Sequence, residues 1–248
     1  YMMDELRLYK GCFSRSKLTV GECADALNDF VDRVRLMYAD ADLQPLLKRL
    51  RRGAKQRAKS MRECLDYMFK VRSRLLVTRI DLEYMEGTFT GIDLAHGLAQ
   101  VKAHWTQMYS ALHNGLVQHL RGFVARIEYG ILTGYHIHLM LFFDGSDRKR
   151  DITINTVIGE YWNNHITQRA GRYWNCNRYK EDYPTPALGM VEYSDTEKRE
   201  ILEKVIFEYF SKPDSITGLY LPHERALLRS AIPSKTIQKK GRTRVVRL

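Results

Sequence analysis

Residues 135 to 143 read Tyr135-His136-Ile137-His138-Leu139-Met140-Leu141-Phe142-Phe143, an apolar run carrying two histidines one residue apart. Its length and its β-branched and aromatic content predict a strand. Successive strand side chains point to opposite faces, so His136 and His138 share one face while Ile137 and Leu139 share the other. Two imidazoles on one side of a strand can hold one metal ion; the alternative is a pair of half-buried, hydrogen-bonded side chains. Just upstream, Arg126-Ile127-Glu128-Tyr129-Gly130 reads as a second strand and Ile131-Leu132-Thr133-Gly134 as the turn region of a hairpin. If the connection holds an odd number of residues centred on Leu132, Glu128 lies opposite His136 on the same face, and Glu128, His136 and His138 converge. An even-membered loop sends Glu128 to the wrong face.

The whole chain sets the frame for this hairpin. Its 248 residues, 44% of them hydrophobic, suffice for a full globular core. Forty Lys and Arg against 29 Asp and Glu give a net charge of +11, which points to a polyanionic partner, nucleic acid first and an anionic membrane second. No run approaches the ~18 apolar residues that span a bilayer and no charged-then-apolar leader opens the chain, so a soluble intracellular protein is expected. Cys12, Cys23, Cys64 and Cys176 have no C-x-x-C spacing, which argues against a zinc knuckle and a disulfide framework.

Residues 1–70 read as helical. Thr19 and Glu22 fit a capping box ahead of Leu27, Phe30, Val31, Val34 and Met37 at helical spacing. From Pro45 to about Phe69, Leu47, Leu50, Ala54, Ala58, Met61, Leu65 and Met68 step by three and four. The other faces of this helix are crowded with cations, among them Lys48, Arg51, Arg52 and Lys55, with no acid until Glu63. They form either a solvated face or a phosphate-binding one. Leu75 to Leu82 switches to a strand pattern, Gly91 to Asn114 returns to helix, and Leu120 to Gly130 with Gly134 to Phe143 form the hairpin. A helix from about Ile152 to His165 follows, then Arg169 to Tyr179, where Arg169, Arg172, Tyr173 and Trp174 interleave basic and aromatic side chains. That stretch suits stacking and phosphate contact with unpaired bases, or else is a loop pinned by aromatic packing. Leu188 to Tyr193 reads as a short strand. Ser194-Asp195-Thr196-Glu197 reads as a second capping box opening a helix through Ile201, Leu202, Val205, Ile206 and Tyr209, stopped by Pro213. The tail 234–248, with Lys239 and Lys240 among its cations, carries no acid and is expected as a flexible arm or an edge strand near an anion. The fold expected is α+β: a central antiparallel sheet of four or five strands flanked by helices, with a helical N-terminal region.

Three features stand in order: Leu76-Val77-Thr78-Arg79-Ile80, an apolar strand with a central threonine; His136-Ile137-His138; and Ile206, Tyr209 and Lys212, an apolar residue, two any, Tyr, two any, Lys. That order resembles the HUH class of single-strand DNA endonucleases, which includes replication initiators, relaxases and related transposases. The closer likeness is to inovirus-type rolling-circle replication proteins and their prophage-borne YagK/YfjJ-like relatives. It is carried by Glu128-Tyr129-Gly130, Gly134 to His138, Phe143 to Ser146, Tyr161-Trp162 and Tyr173 to Asn177. It covers roughly residues 71 to 215, within an endonuclease domain placed at 71–233. The resemblance implies Glu128, His136 and His138 as metal ligands and Tyr209 as nucleophile with Lys212 as its catalytic partner, favouring the phenolate or holding the phosphate; Arg79, in the first motif, is expected to bind the DNA. It also implies single-stranded DNA or an origin hairpin as substrate and a host replication helicase or polymerase as partner. The implied setting is the bacterial cytoplasm, with the gene carried by a prophage or mobile element. Some phage initiators use two tyrosines a turn apart; no Tyr follows Tyr209 at three or four residues and Tyr220 lies beyond Pro213, so a single-tyrosine mechanism is expected.

Two imidazoles and a carboxylate leave a divalent ion with net positive charge, the requirement for a Lewis acid on phosphate. Mg²⁺ is expected in the cell and Mn²⁺ as an effective substitute, since imidazole suits Mn²⁺ better. Tyr209 attack gives a 5′-phosphotyrosine and a free 3′-hydroxyl. A phenol of pKa ~10 is only about 0.1% ionised at neutral pH, so it needs activation, and Lys212 lies about one helical turn on. Two other readings remain at this point: a non-catalytic nucleic-acid-binding regulator that keeps the fold, and a phosphoesterase that activates water.

Overall fold

In the computed structural model of the protein, residues 19–130, 133–183, 187–211 and 226–231 are described. Thr19 starts α1 (Val20–Ala39) through the expected capping box: its hydroxyl accepts from the Glu22 amide at 3.3 Å, and the Glu22 carboxylate accepts from the Thr19 amide at 2.7 Å. α2 (Leu43–Val71) realises the long helix, but only the C-terminal part of its stripe is fully covered, at Met61, Cys64, Leu65, Met68 and Phe69. Lys48, Arg51, Arg52 and Lys55 are exposed. The chain divides into two compact units, Tyr1–Arg52 and Gly53–Leu248, with the division falling inside α2.

The second unit is organised on an antiparallel sheet. Its strands are β1 (Arg74–Tyr84), β2 (Leu120–Gly130), β3 (Gly134–Asp144), β4 (Gly171–Asn175), β5 (Gly189–Glu192) and β6 (Leu227–Arg229). The order is β4-β1-β3-β2-β6, with β5 pairing the start of β1 below β4. The α+β class is as expected, while the strand count rises to six because two short edge segments pair that no run of alternation announced. The larger difference is at Arg169 to Tyr179, which is neither a loop nor a free stacking segment throughout. Residues Gly171–Asn175 form β4 on β1, and Cys176–Asp182 form a 3₁₀ turn. Two glycines permit it: a Cβ at Gly171 would collide with Trp162 and Thr167, and one at Gly159 would occupy the space filled by the Tyr173 ring.

Helices cover both faces. α3 (Leu94–His113) begins at Asp93, whose carboxylate accepts from the Ala95 and His96 amides. α4 (Asp151–Tyr161) runs on into a π-helical turn, Trp162–Ile166. α5 (Thr196–Val205) is capped by Asp195, which accepts from the Lys198 amide at 3.0 Å, and not by Ser194 as the sequence pattern implied. The chain is still paired beside β1 at Tyr193, whose amide donates to Ser73, so the first residue free to turn into the helix comes later. α5 also ends in a π-helical turn, Ile206–Phe210, where a continuous α-helix was expected.

The period of two along each strand sorts the core into two layers. On one face Leu76, Ile80 and Leu82 of β1, Ala125 and Ile127 of β2 and Ile137, Leu139 and Leu141 of β3 pack with Val101, Trp105 and Met108 of α3 and Ile158 and Trp162 of the α4 region. On the other, Leu75, Val77, Val124, Met140 and Phe142 meet Leu65, Met68 and Phe69 of α2, Leu202 of α5, and Ile206 and Phe210 of its π turn. Among the described residues no helix is long and apolar enough to cross a membrane.

Candidate active site

Along the second face the apolar rows give way to ionisable ones. β2 and β3 pair Glu128 with His136 and close at Gly130 opposite Gly134, so the connection is residues 131–133, odd as Glu128's placement requires. Gly134 takes φ +68°, a conformation a side chain would resist. β1 lies on the other side of β3, with Asp81 opposite His138 and Glu83 opposite His136. Directly opposed residues share a face. Arg79, Asp81, Arg126, Glu128, His136 and His138 therefore occupy one field, and Glu83 on the same face pairs with Arg172.

Both imidazoles are held in the tautomer a metal ligand needs. His138 Nδ1 lies 2.8 Å from Asp81 Oδ1 and His136 Nδ1 lies 3.1 Å from the Gly134 carbonyl oxygen. Carboxylate and carbonyl only accept, so each Nδ1 carries hydrogen and each Nε2 is left for a ligand. Those Nε2 atoms lie 3.5 Å (His138) and 3.7 Å (His136) from Glu128 Oε2. One ligand atom from each residue lies within 4.8 Å of the others, so the cluster can hold a metal ion. Donors on opposite sides of a cation with bonds of ~2.1 Å stand about 4.2 Å apart, so small side-chain shifts complete the fit.

The charges around the cluster compensate one another. Burial opposes ionisation of Glu128, but the neighbouring His136 and His138 imidazoles and the Arg126 charge hold its pKa far below the usual carboxylate range. Asp81 follows the same pattern: burial works against its charge, and His138 and Arg79 overcome it, so its pKa is lowered. Burial disfavours the His138 imidazolium, yet bonding to Asp81 and Glu128 raises its pKa. The Asp81 and Glu128 carboxylates are thus balanced by Arg79, Arg126 and His138.

Tyr209 reaches this cluster from a separate element. Its Oη lies 3.3 Å from His138 Nε2, and the Arg79 guanidinium carbon lies 4.1 Å from the centroid of its ring. The π turn sets this orientation, with Ile206 and Phe210 buried on either side as anchors. Arg126 fixes the turn to the sheet: its Nε is 2.6 Å from Glu128 Oε1, and its Nη1 donates to the Phe210 carbonyl at 2.6 Å. Burial raises the Tyr209 phenol pKa, while the Arg79 charge pulls the other way.

Arg79 is itself positioned by asparagines. β4 and β5 pair with β1 on either side of residues 78 and 79, leaving a gap in the ladder. Asn177 fills it as a strand would, its Oδ1 accepting from the Arg79 amide at 2.8 Å and its Nδ2 donating to the Val77 carbonyl at 3.1 Å. Asn155 Nδ2 donates to the Arg79 carbonyl at 2.8 Å. The Arg79 side chain is held by Asp81 at 3.0 Å and is only 11% exposed, so it lies in the interior of the site.

Other expected residues are distributed differently. Thr78, the threonine of the first motif, is fully buried and points away from Arg79 to the opposite face. Tyr173 also lies on that opposite face, its hydroxyl donating to Glu160 at 2.9 Å. Arg172 and Trp174 stand on the site's face, Arg172 in an ion pair with Glu83 at 2.7 Å. Arg169 is exposed, with φ 71°, in the turn before β4. Lys212, Lys239 and Lys240 lie outside the described residues. Asp81 and Arg126 escaped the sequence reading; each stands two positions from a residue already singled out, Arg79 and Glu128, and that same-face spacing was the available signal. No family model, curated protein or solved structure matches the chain.

Proposed function

We propose that the protein is a metal-dependent endonuclease that nicks and rejoins single-stranded DNA, with Tyr209 as nucleophile, and that it initiates rolling-circle replication of a phage or mobile element. The observation that carries this reading is the approach of Tyr209 Oη to 3.3 Å from His138 Nε2, which sets a phenol against the one His/Glu ligand cluster among the described residues. The resemblance to HUH endonucleases supports it, since the ligand and nucleophile motifs, far apart in sequence, converge. Glu128, His136 and His138 would hold Mg²⁺ or Mn²⁺. Once bound, the cation supplies Lewis-acid polarisation of a non-bridging phosphate oxygen.

The chain's own residues do the rest. Arg126 ties the Tyr209 turn to Glu128, linking nucleophile and ligand set through one guanidinium. Arg79 lies over the Tyr209 ring, favours the phenolate, and offers positive charge to a phosphodiester. Asp81 keeps both Arg79 and His138 in orientation. Tyr209 Oη forms a bond to phosphorus as the bond from phosphorus to the 3′ oxygen breaks. The phenolic proton lost is matched by the one the 3′ oxygen gains, so the products are a 5′-phosphotyrosine and a free 3′-hydroxyl. This transesterification retains a phosphodiester that the 3′-hydroxyl can re-form.

The test is incubation with single-stranded oligonucleotides and Mn²⁺, scoring a protein-DNA adduct that survives denaturation. Wild type should form it, while Tyr209→Phe and His136→Ala should not; adduct from Tyr209→Phe would remove Tyr209 from the role. One observation favours a second reading, a nucleic-acid-binding regulator without chemistry: Glu128 is already in an ion pair with Arg126, so the charges balance without a cation. Under that reading Mn²⁺ neither stabilises the protein nor supports cleavage. Cleavage without an adduct would instead indicate an activated water.

A further inference from the structure

The site's face continues to the edge of the sheet, where Trp174 stands. The cross-strand row runs Trp174 of β4, Asp81 of β1, His138 of β3 and Arg126 of β2, each directly opposite the next. Neighbouring strands are ~4.8 Å apart, which places the Trp174 backbone roughly 10 Å from that of His138. The indole stacks on Tyr179, with ring centroids 4.4 Å apart and planes 11° from parallel. Such pairs normally hide in a core, but Trp174 is 46% exposed and Tyr179 38%. The other two tryptophans, Trp105 and Trp162, are buried at 6% and 0%. A half-open aromatic plane on an edge strand, flanked by exposed Arg172 and Arg178, has the makings of a platform for a base. Duplex bases have no free face to offer it, which leaves the unpaired base as its partner.

We propose that the Trp174–Tyr179 pair is a stacking subsite that seats one unpaired nucleobase of single-stranded DNA beside the Glu128/His136/His138 cluster. The proposal deepens the nicking reading, on which it rests for the identity of the strand, and assigns Trp174 to substrate registration. Stacking is tolerant of base identity, so the subsite fixes where the strand lies and not which sequence it has.

The experiment titrates the full chain, in EDTA so that nothing is cut, with a short oligothymidylate, and follows tryptophan emission together with binding anisotropy. Quenching is expected in wild type, because the accessible indole is the one covered by the base. Trp174→Ala should weaken binding by ~10-fold to ~100-fold, and Trp174→Phe should recover much of that loss. An abasic oligomer of equal length should bind wild type as weakly as oligothymidylate binds Trp174→Ala. Equal affinity of wild type for the thymidylate and abasic oligomers, or unchanged affinity in Trp174→Ala, overturns the subsite. The two proposals fail separately: a Trp174-dependent affinity without any Mn²⁺-dependent adduct keeps the subsite and removes the nicking chemistry, whereas an adduct with unchanged Trp174→Ala affinity does the reverse.

Discussion

β1, β2 and β3 present two faces one residue out of step, and the two behave as different materials. Toward α3 and α4 the strands offer Ile80, Leu82, Ile127, Ile137 and Leu139, all fully buried. Toward the Tyr209 turn the intervening residues are Arg79, Asp81, Arg126, Glu128, His136 and His138. The first face gains stability from apolar area removed from water. The second gathers six ionisable groups, and such a field persists only because nearly every charge has an opposite partner at hydrogen-bond distance: Asp81 with His138, Asp81 with Arg79, Arg126 with Glu128. The difference shows stability and chemistry separated by a single step along the chain, so adjacent substitutions should have unlike consequences.

The most forceful way to break that comparison is to alter neighbours. Ile137→Ala should lower the unfolding free energy by about 2–5 kcal/mol in urea melts, as a fully buried isoleucine truncated in a packed layer does. His136→Ala, measured in EDTA, should lower it by only ~1 kcal/mol, the worth of its bond to the Gly134 carbonyl. Equal losses would mean that the ionisable field is ordinary core, and the division between the faces would not hold.

Metal addition sharpens the contrast at the next level of effect. At ~100 times its dissociation constant, Mn²⁺ should stabilise wild type by about 2.7 kcal/mol, which raises the melting temperature by roughly 5–10 °C for a chain of this size. Glu128→Gln should lose the increment, whatever its own baseline. The pH dependence should separate the two states as well. His138 has a raised folded pKa, so in EDTA its contribution is full below its unfolded value of ~6.5 and is lost as pH rises through the folded value. Asp81 and Glu128 have lowered folded values, so theirs is present above ~4 and is lost as pH falls through those values. From pH ~6.5 upward the metal-free protein should therefore lose stability, while the Mn²⁺ increment grows, because the cation needs His138 Nε2 unprotonated. Matching slopes with and without Mn²⁺ would exclude the cluster as the binding site.

Much of this was legible in local pattern. The face of each hairpin residue follows from alternation, a property of adjacent residues, whereas the register that sets Glu128 opposite His136 hung on an odd turn that the sequence left open. The helices followed from apolar spacing and from the Thr19 cap, while the Asp93 cap of α3 emerged only in the structure. What stayed hidden depends on which distant segments pair. Nothing in Arg79-Ile80-Asp81 says that β1 lies beside β3, so Asp81 could not be recognised as the partner of His138. Arg126 looks like one more cation of a basic chain until its reach to Phe210 is seen. The π turn that aims Tyr209 has no signature in an amphipathic pattern, because a helix of either pitch buries Ile206 and Phe210.

The smallest of the three effects concerns Asn177, which belongs to neither face but holds the strand between them. Its carboxamide stands in for a missing strand at the Arg79 amide and the Val77 carbonyl, and it also donates to Asp151 Oδ2 at 3.0 Å. Asn177→Ala strands buried backbone groups, so a loss of about 1–3 kcal/mol in urea melts is expected. Stability alone does not test the positioning role, since any buried amide would give that result. The discriminating quantity is the ionisation of Tyr209, read as the ultraviolet titration of each protein minus that of the same protein carrying Tyr209→Phe. Arg79 lowers the phenol's pKa against the effect of burial, so freeing the Arg79 backbone should let that pKa climb further. Adduct formation should fall with it, beyond what the folded fraction accounts for. An Asn177→Ala protein that is destabilised yet keeps the wild-type Tyr209 titration would make Asn177 a structural bridge only, and the hold on Arg79 would then have to come from Asp81 and Asn155.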